Sequence, residues 1–328
     1  MLAFITVSLI LVVTNCIVAV GLNIQLGYTG MVNLMSITCV AIGGYTTLVL
    51  AMPPATPATG LTYVLGLNWP FPLAVLGGTV VAGLFGLIVG SVALRRLRAH
   101  YFAIVTFCVA EITHQSIGNF NPLFGGFNGI YGLPQPGVDV IGYDNWNYFY
   151  LLVCFVILAI VFVFAEYLRR RPFGRALRAI REDQDAAQAF GRNVYRLQLE
   201  AFVIGSLLAG LGGAMLVGFT GALDPGSWGS PETLVLITAI ILGGSGNNLG
   251  VVVGMVLVAG VITQGLTFLP AGLISNTLLS PVEVMIYGAL LIVVLRFRPE
   301  GLLPERPPRD VIKEPRRRLT APHVVAED

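Results

Sequence analysis

RRRPFGRALRAIREDQDAAQAFGRNVYRLQLE, residues 169–200, decides how the rest of the chain is read. It is a polar stretch in an otherwise apolar sequence, with eight arginines against four acids. Pro172 suits the first turn of a helix, where its missing N–H costs nothing, and Gly191 suits a stop. Between them Phe173, Leu177, Ile180, Ala187 and Phe190 roughly follow helical spacing, while Arg175, Arg178 and Arg181 lie on another face. A short amphipathic helix on the wet side of a membrane has this pattern, and so does a surface that docks a partner.

The surroundings favour the membrane. Of 328 residues, 55% are hydrophobic and 11% charged, and mean hydropathy is +0.82. A soluble domain carries about 25% charged residues. Several apolar runs reach the roughly 20 residues that cross a bilayer core, and they are continuous rather than alternating, which excludes an outer-membrane barrel. Candidate spans are 2–22, 31–51, 72–94, 101–118, 148–168, 199–221, 232–245, 249–268 and 281–297, so the expected fold is an all-α polytopic membrane protein of about 8–9 transmembrane helices with glycine-broken segments. The run from Leu2 has no basic leader and continues into a plausible span, so no cleavable signal is expected. Cys16, Cys39, Cys108 and Cys154 fall inside apolar runs without motif spacing and read as small packers.

All 19 Lys and Arg residues lie in Arg95–Arg98, Arg169–Arg196 or Arg296–Arg318, and segments 52–71, 119–147, 222–231 and 269–280 have none. Basic residues stay on the cytoplasmic side, so the expected topology puts the N-terminus outside and the C-terminus in the cytoplasm. Trp69, Trp146 and Trp228 all fall at external span edges, where an amphipathic ring suits the interface. The short run 232–245 is read as a full crossing, because a re-entrant hairpin would place Arg296 outside. Residues 1–303 form the expected permease domain, with 169–200 cytoplasmic, and the proline-rich 304–328 the expected mobile tail. The Asn-, Gly- and Pro-rich loop 119–147 reads as ordered turns.

Leu26-Gly27-Tyr28-Thr29-Gly30 and Leu242-Gly243-Gly244-Ser245-Gly246 share the pattern L-G-x-[ST]-G, and asparagine follows each. Paired glycine interruptions in two halves of a membrane protein point to discontinuous helices that free backbone groups near a translocation route. In span 101–118, Glu111, His114 and Gln115 share one helix face, where an ionisable group faces an interior or a water path. The expected path therefore passes Gly27, Gly30, Asn33, Glu111, His114, Gln115, Gly243, Gly244 and Gly246. Glu111 and His114 equally suit a structural pair near the outer interface, and Asn23, Gln25 and Asn33 equally suit capping. Asp224 reads as a turn former, and Glu232 as a favourable charge at a helix N-terminus.

Nothing suggests catalysis. There is no HExxH, no G-x-S-x-G, no metal-spaced Cys/His set and no G-x-x-x-x-G-K-[ST], and Lys313 is the sole lysine, so the chain cannot cradle ATP alone. The net charge of +2 sits in loops flanking spans and implies no nucleic acid.

GLNIQLGYTGMVNL (21–34), IGGYT (42–46), LRAHYFAIVTFCVAEI (97–112), GGFNGI (125–130), PFGRALRAIREDQDAAQAFG (172–191), AFVIGSLLAGLGGAM (201–215), ILGGSGNNLG (241–250) and FRPEGLL (297–303) together resemble the LivM-like permease subunits of ABC importers of the branched-chain amino acid type. Asp185-Ala186-Ala187-Gln188-Ala189-Phe190-Gly191 resembles the [ED]-A-A-x-x-x-G loop that engages ATPases, which implies coupling through Arg178, Asp185, Ala186, Ala187 and Gly191. The resemblance implies a homologous LivH-like permease, two ATP-binding subunits that hold ATP and Mg, an extracytoplasmic solute-binding protein and alternating access in a prokaryotic plasma membrane. It implies no cofactor in this chain. Phe127 and the basic Arg95–His100 depart from the usual pattern and leave the solute open, urea or short amides included. A basic amphipathic connector on anionic lipid is an alternative for 169–200. For the whole chain the alternative is an ion-coupled carrier with Glu111 and His114 as a proton relay.

Overall fold

The computed structural model describes residues 2–54, 63, 66–96, 99–120, 124–263, 276–298 and 300–305. The first apolar run forms α1 (Leu2–Asn23), which loosens into π-helical turns at Ile24–Tyr28. Irregular residues 30–35 lead into α2 (Ser36–Ala51). Then come α3 (Phe71–Arg96), α4 (Ala99–Asn119), the short α5 (Val138–Ile141) and α6 (Tyr143–Arg170). The arginine-rich stretch forms α7 (Pro172–Glu182) and α8 (Gln184–Ala189). The chain continues through α9 (Val194–Thr220), α10 (Ser230–Gly243), α11 (Asn248–Met255) with π-helical turns to Thr263, and α12 (Asn276–Phe297).

Helix α9 is the hub and packs on α1, α2 and α3. Small residues make this possible, because with lipid tails as the solvent helices gain by close van der Waals approach. A Cβ on Gly43 would stand 2.6 Å from the Cα of Gly210, and one on Gly213 would overlap the carbonyl of Val40. Backbones of α2 and α9 therefore touch directly. Within their apolar windows α1 and α9 are 67% buried and α6 only 28%. The first two are therefore the interior pair, and α6 turns Leu152, Phe155, Val156, Ile160 and Val163 outward.

Among the described residues, four helices are long and apolar enough to cross a membrane: Phe4–Tyr28, Phe71–Arg95, Tyr143–Arg170 and Val194–Thr220. Ser36–Ala51 and Asn248–Ile262 are apolar but shorter. The expected short span is the 14-residue α10, roughly 21 Å at 1.5 Å per residue against a core of roughly 30 Å. It forms a tight antiparallel hairpin with α11, in which a Cβ on Gly254 would overlap the carbonyl of Ala239 and one on Gly250 that of Gly243.

Described parts of three segments without basic residues, 52–71, 119–147 and 222–231, meet at one end of the bundle. There Ile130–Tyr131 pairs antiparallel with Ala222–Leu223, in register Ile130↔Leu223, and Tyr63 bridges Phe124. The basic segments meet at the other end, where Arg95 Nε donates to the Tyr195 hydroxyl over 3.3 Å. The loop before α6 is built of short turns, as its composition predicts.

Two expectations need correction. The tryptophans lie at the expected end, yet only Trp69 is exposed; Trp146 and Trp228 are buried. Trp146 stacks on Tyr150 at 5.0 Å and on Phe219 at 5.9 Å, and its indole N–H donates to Pro136 O over 2.9 Å. It closes the protein rather than anchoring it to headgroups. The polar island is two helices, not one running to Gly191. Asp183 leaves helical backbone at φ −154° and its carboxylate accepts from Ala186 N, capping a new helix. Among the cysteines, Cys108 on α4 is exposed and the other three are buried.

Candidate functional site: a junction of two glycine breaks

The two L-G-x-[ST]-G stretches meet in space. Gly244 and Gly246 adopt φ of 112° and 86°, conformations open to glycine and strained for other residues. They turn the chain sharply between α10 and α11, and the amide of Gly246 donates to Asn23 Oδ1 over 2.9 Å. That contact fixes the Asn23 amide, since a backbone N–H only donates, and so turns Asn23 Nδ2 outward as a donor. It donates to Asn248 Oδ1 over 2.9 Å, which also accepts from the Tyr28 hydroxyl over 2.8 Å. Asn23, Tyr28 and Asn248 are at most 1% exposed. Gly27 leaves room for all this: a Cβ there would overlap Asn23 Oδ1 and stand 2.5 Å from Gly246 N.

Asn33 belongs to a second buried network on the same interrupted stretch. Its Nδ2 donates to Gln25 Oε1 over 2.7 Å and to Ser36 Oγ over 3.2 Å, and its Oδ1 accepts from Met35 N over 2.9 Å. Gln25 in turn donates to Phe202 O over 2.8 Å. Buried amides with every strong group paired hold a fixed backbone path. In this conformation Asn33 and Gln25 are structural ties and face no open water.

Helix α7 is keyed onto this junction. Its apolar face buries Ala176, Leu177 and Ile180. Arg178 and Arg181, expected on a partner-facing side, turn inward instead. Arg181 Nη1 donates to Gly27 O, and its Nη2 donates to Glu305 Oε2 over 2.7 Å. Arg178 donates to Glu305 Oε1 over 3.2 Å and to Arg169 O over 3.2 Å. The side chains of Arg178 and Glu305 are each 16% exposed. Gly30 lies beside Arg181, where a Cβ would stand 3.1 Å from its Cγ. Close by, Arg169 forks onto Glu166 at 2.6 and 2.8 Å, and Arg170 reaches the same carboxylate at 2.8 Å. Charge-assisted bonds of this kind are among the strongest a protein makes.

The outer face of α7 and α8 is a different surface. Arg175, Asp185 and Gly191 are exposed, Ala186 is half-buried, and Ala187 is buried against the chain itself. Phe190 is 87% exposed, a bare aromatic that sequence spacing placed on the apolar side.

The expected α4 group separates. Gln115 donates to Glu111 Oε1 over 3.0 Å, while His114 turns to the opposite end's turn at Pro225. Its Nε2 lies 2.9 Å from Pro225 O, and its ring meets Trp228 edge-on at 4.9 Å. Asp224 caps that turn by accepting from Ser227 N over 3.0 Å, and Glu232 sits in the first turn of α10, both as expected. Glu111, His114 and Gln115 thus share no hydrogen bond with the Gly27–Gly246 junction among the described residues. Sequence reasoning missed Tyr28, Glu166, Asn248 and Glu305. The asparagine after the second glycine break was a usable signal for Asn248. Glu305, at the edge of a proline-rich tail, offered none. Beyond Glu305 the expected mobile tail lies outside the described residues, as do Leu97 and Arg98 of the basic departure.

Comparison with known proteins bears on the family of the chain. The profile of the family described as branched-chain amino acid transport system / permease component matches residues 4–295. The chain is 28% identical to a probable branched-chain amino acid transport permease protein LivM of Methanocaldococcus jannaschii, over 89% of this chain and 90% of that protein. It is 28% identical to the high-affinity branched-chain amino acid transport system permease protein LivM of Escherichia coli, covering 90% of this chain and 69% of the relative. It is 27% identical to LivH of Escherichia coli, over 88% and 91%. No solved structure matches.

Proposed function

Since the chain belongs to the family of branched-chain amino acid transport system permease components, and is a multi-pass membrane protein of that kind, we propose that it is the membrane-spanning subunit of an ATP-driven importer for branched-chain amino acids or related small polar solutes. The observation that carries this reading is the docking of α7 onto the junction of both glycine breaks, with Phe190 left bare on the far side. A secondary carrier has no use for such a helix.

In this mechanism a loaded binding protein docks on the end built from the paired strands and the Asp224 turn. Two ATP-binding subunits, which hold ATP and Mg, grip α7 and α8 through Asp185, Ala186, Phe190 and Gly191, with Ala187 and Arg178 shaping the surface from within. Closure of the ATP-binding pair tilts α7, and Arg181 carries the motion to Gly27. Access then alternates from one face to the other. The likeness to both LivM and LivH relatives supports a second, homologous permease across an interface that includes the outward side of α6. The basic end faces the cytoplasm, with the N-terminus outside, the C-terminus inside and nine crossings, α10 and α11 each crossing as one arm of the hairpin.

The test is reconstitution of the chain with its permease partner, ATP-binding subunits and binding protein in vesicles, with radiolabelled leucine outside. ATP-dependent accumulation is expected. Urea or a short amide taken up in place of leucine moves the chain to another solute branch. Leucine accumulation by the chain alone, driven by a proton gradient, would replace the importer with an ion-coupled carrier.

A further inference from the structure

Residues 300–305 run back from α12 over the turn between α10 and α11. Leu302 N donates to Leu242 O over 2.8 Å, Leu303 N to Gly243 O over 3.0 Å, and Asn247 Nδ2 to Leu303 O over 3.1 Å. Gly301 takes φ +76°, and a Cβ there would stand 2.5 Å from Gly244 N and Cα. The segment is therefore seated at backbone distance on the second glycine break, by bonds independent of any side-chain charge.

Its last described residue then reaches the other partner. The two oxygens of Glu305 accept one from each of Arg178 and Arg181, and Glu305 lies beside Gly246, where a Cβ would stand 2.7 Å from Oε2. Arg181 touches the first break itself at Gly27 O. Among the described residues, no hydrogen bond joins α7 directly to the second break; Glu305 bridges them, beside the Arg181 guanidinium, whose Nη1 would lie 3.1 Å from a Cβ on Gly246. A carboxylate is an acceptor with two oxygens, which matches two arginines one helical turn apart. A neutral amide of the same size offers one acceptor and repels a guanidinium at its other end.

We propose that residues 300–305 form a strap, and that Glu305 is a positioning residue that makes the second glycine break follow α7. Movement of α7 reaches the first break at Gly27 O, and the strap adds a charge-assisted tie to the second break beside the Asn23–Gly246 bond that already joins the two, so both breaks move together. The inference rests on the proposed coupling of α7 to ATP-binding subunits.

The test uses the complete complex in vesicles, with leucine as the probe solute. It has two readouts: ATP hydrolysed per leucine taken up, and the distance between spin labels on exposed Gln184 of α8 and exposed Leu249 of α11. Glu305→Gln is expected to raise ATP per leucine roughly tenfold, the factor that goes with one charge-assisted hydrogen bond, and to broaden the label distance. Glu305→Asp is expected to recover part of both. A wild-type ratio and distance in Glu305→Gln would overturn the proposal. So would a parallel fall in hydrolysis and uptake at unchanged distance, the mark of a residue that serves stability alone. Absence of ATP-coupled leucine uptake in the wild type would sink the importer reading instead, and the label distances would still decide for or against the strap.

Discussion

Gly246 N donates to Asn23 Oδ1 across 2.9 Å and 223 residues of sequence. One buried bond thus closes two helix interruptions onto each other, and a third element, α7, rests on the closure through Arg181 and Gly27. The interruptions free backbone groups at a depth where water cannot satisfy them, and each break supplies partners for the other. A helix that presses on this point addresses both halves of the protein at once.

Gly27→Val should open the closure. Its Cβ would occupy the position of Asn23 Oδ1, so Asn23 must swing away and leave Gly246 N buried without a partner. An orphaned buried amide costs about 1–3 kcal/mol. At roughly 2–4 °C per kcal/mol for a chain of this size, the purified protein should melt roughly 5 °C lower. A melting curve that overlays the wild type would mean that the junction is looser than its distances suggest.

Phe190→Asp should separate partner binding from folding. The ring is 87% exposed, so its removal leaves packing intact and melting unchanged. An aromatic at the centre of an interface contributes about 2 kcal/mol or more, so the affinity for the ATP-binding subunits should fall roughly thirtyfold or further, read by co-purification and titration. Unchanged affinity would take Phe190 out of the interface. Ala187→Glu is a less clean variant, because Ala187 is buried within the chain and its replacement should also lower melting.

Much of this was legible before any coordinates. The charge island, the apolar runs and the segregation of basic residues each follow from composition over ten or more residues, where local physics is strongest. The echo of LGYTG and LGGSG was legible too, though not that its two copies touch, since only tertiary packing brings residues so far apart together. Direction was the harder matter. Spacing put Arg178 and Arg181 on an exposed face, and a carboxylate from the end of the described chain drew both inward. The same spacing put Phe190 with the apolar set, but Asp183 stops α7 and restarts the helix on a new axis. One capping residue reset the phase.

Gly213→Leu should prevent assembly of the bundle. The added atoms would land on the backbone of Val40, which α2 cannot withdraw because Gly43 is already against Gly210. Overpacking by a few methylenes costs about 1–3 kcal/mol where side chains can yield, and here the obstacle is backbone. The expected result is loss of the membrane-inserted, detergent-stable protein on a sizing column. Recovery of normal amounts would show that α2 and α9 have more freedom than their contact allows.

His114 offers the sharpest division between a structural and a proton-carrying role. A carbonyl only accepts, so the 2.9 Å contact with Pro225 O requires the proton on Nε2, and Nδ1 is left buried with no partner among the described residues. His114→Phe keeps the edge-on contact with Trp228, removes the orphaned nitrogen and gives up one neutral hydrogen bond. The gain from the first offsets the loss of the second, each being about 1 kcal/mol, so stability should stay within about 1 kcal/mol of the wild type. His114→Ala also loses the ring contact and leaves a cavity beside Trp228, and should cost about 3 kcal/mol. ATP-driven leucine uptake should survive the first substitution nearly unchanged, because phenylalanine fills the same space against the Asp224 turn. A relay residue behaves in the opposite way: phenylalanine carries no proton, so uptake would vanish in a protein that melts normally. That combination would return His114 to the transport path and put ion coupling back in place of ATP.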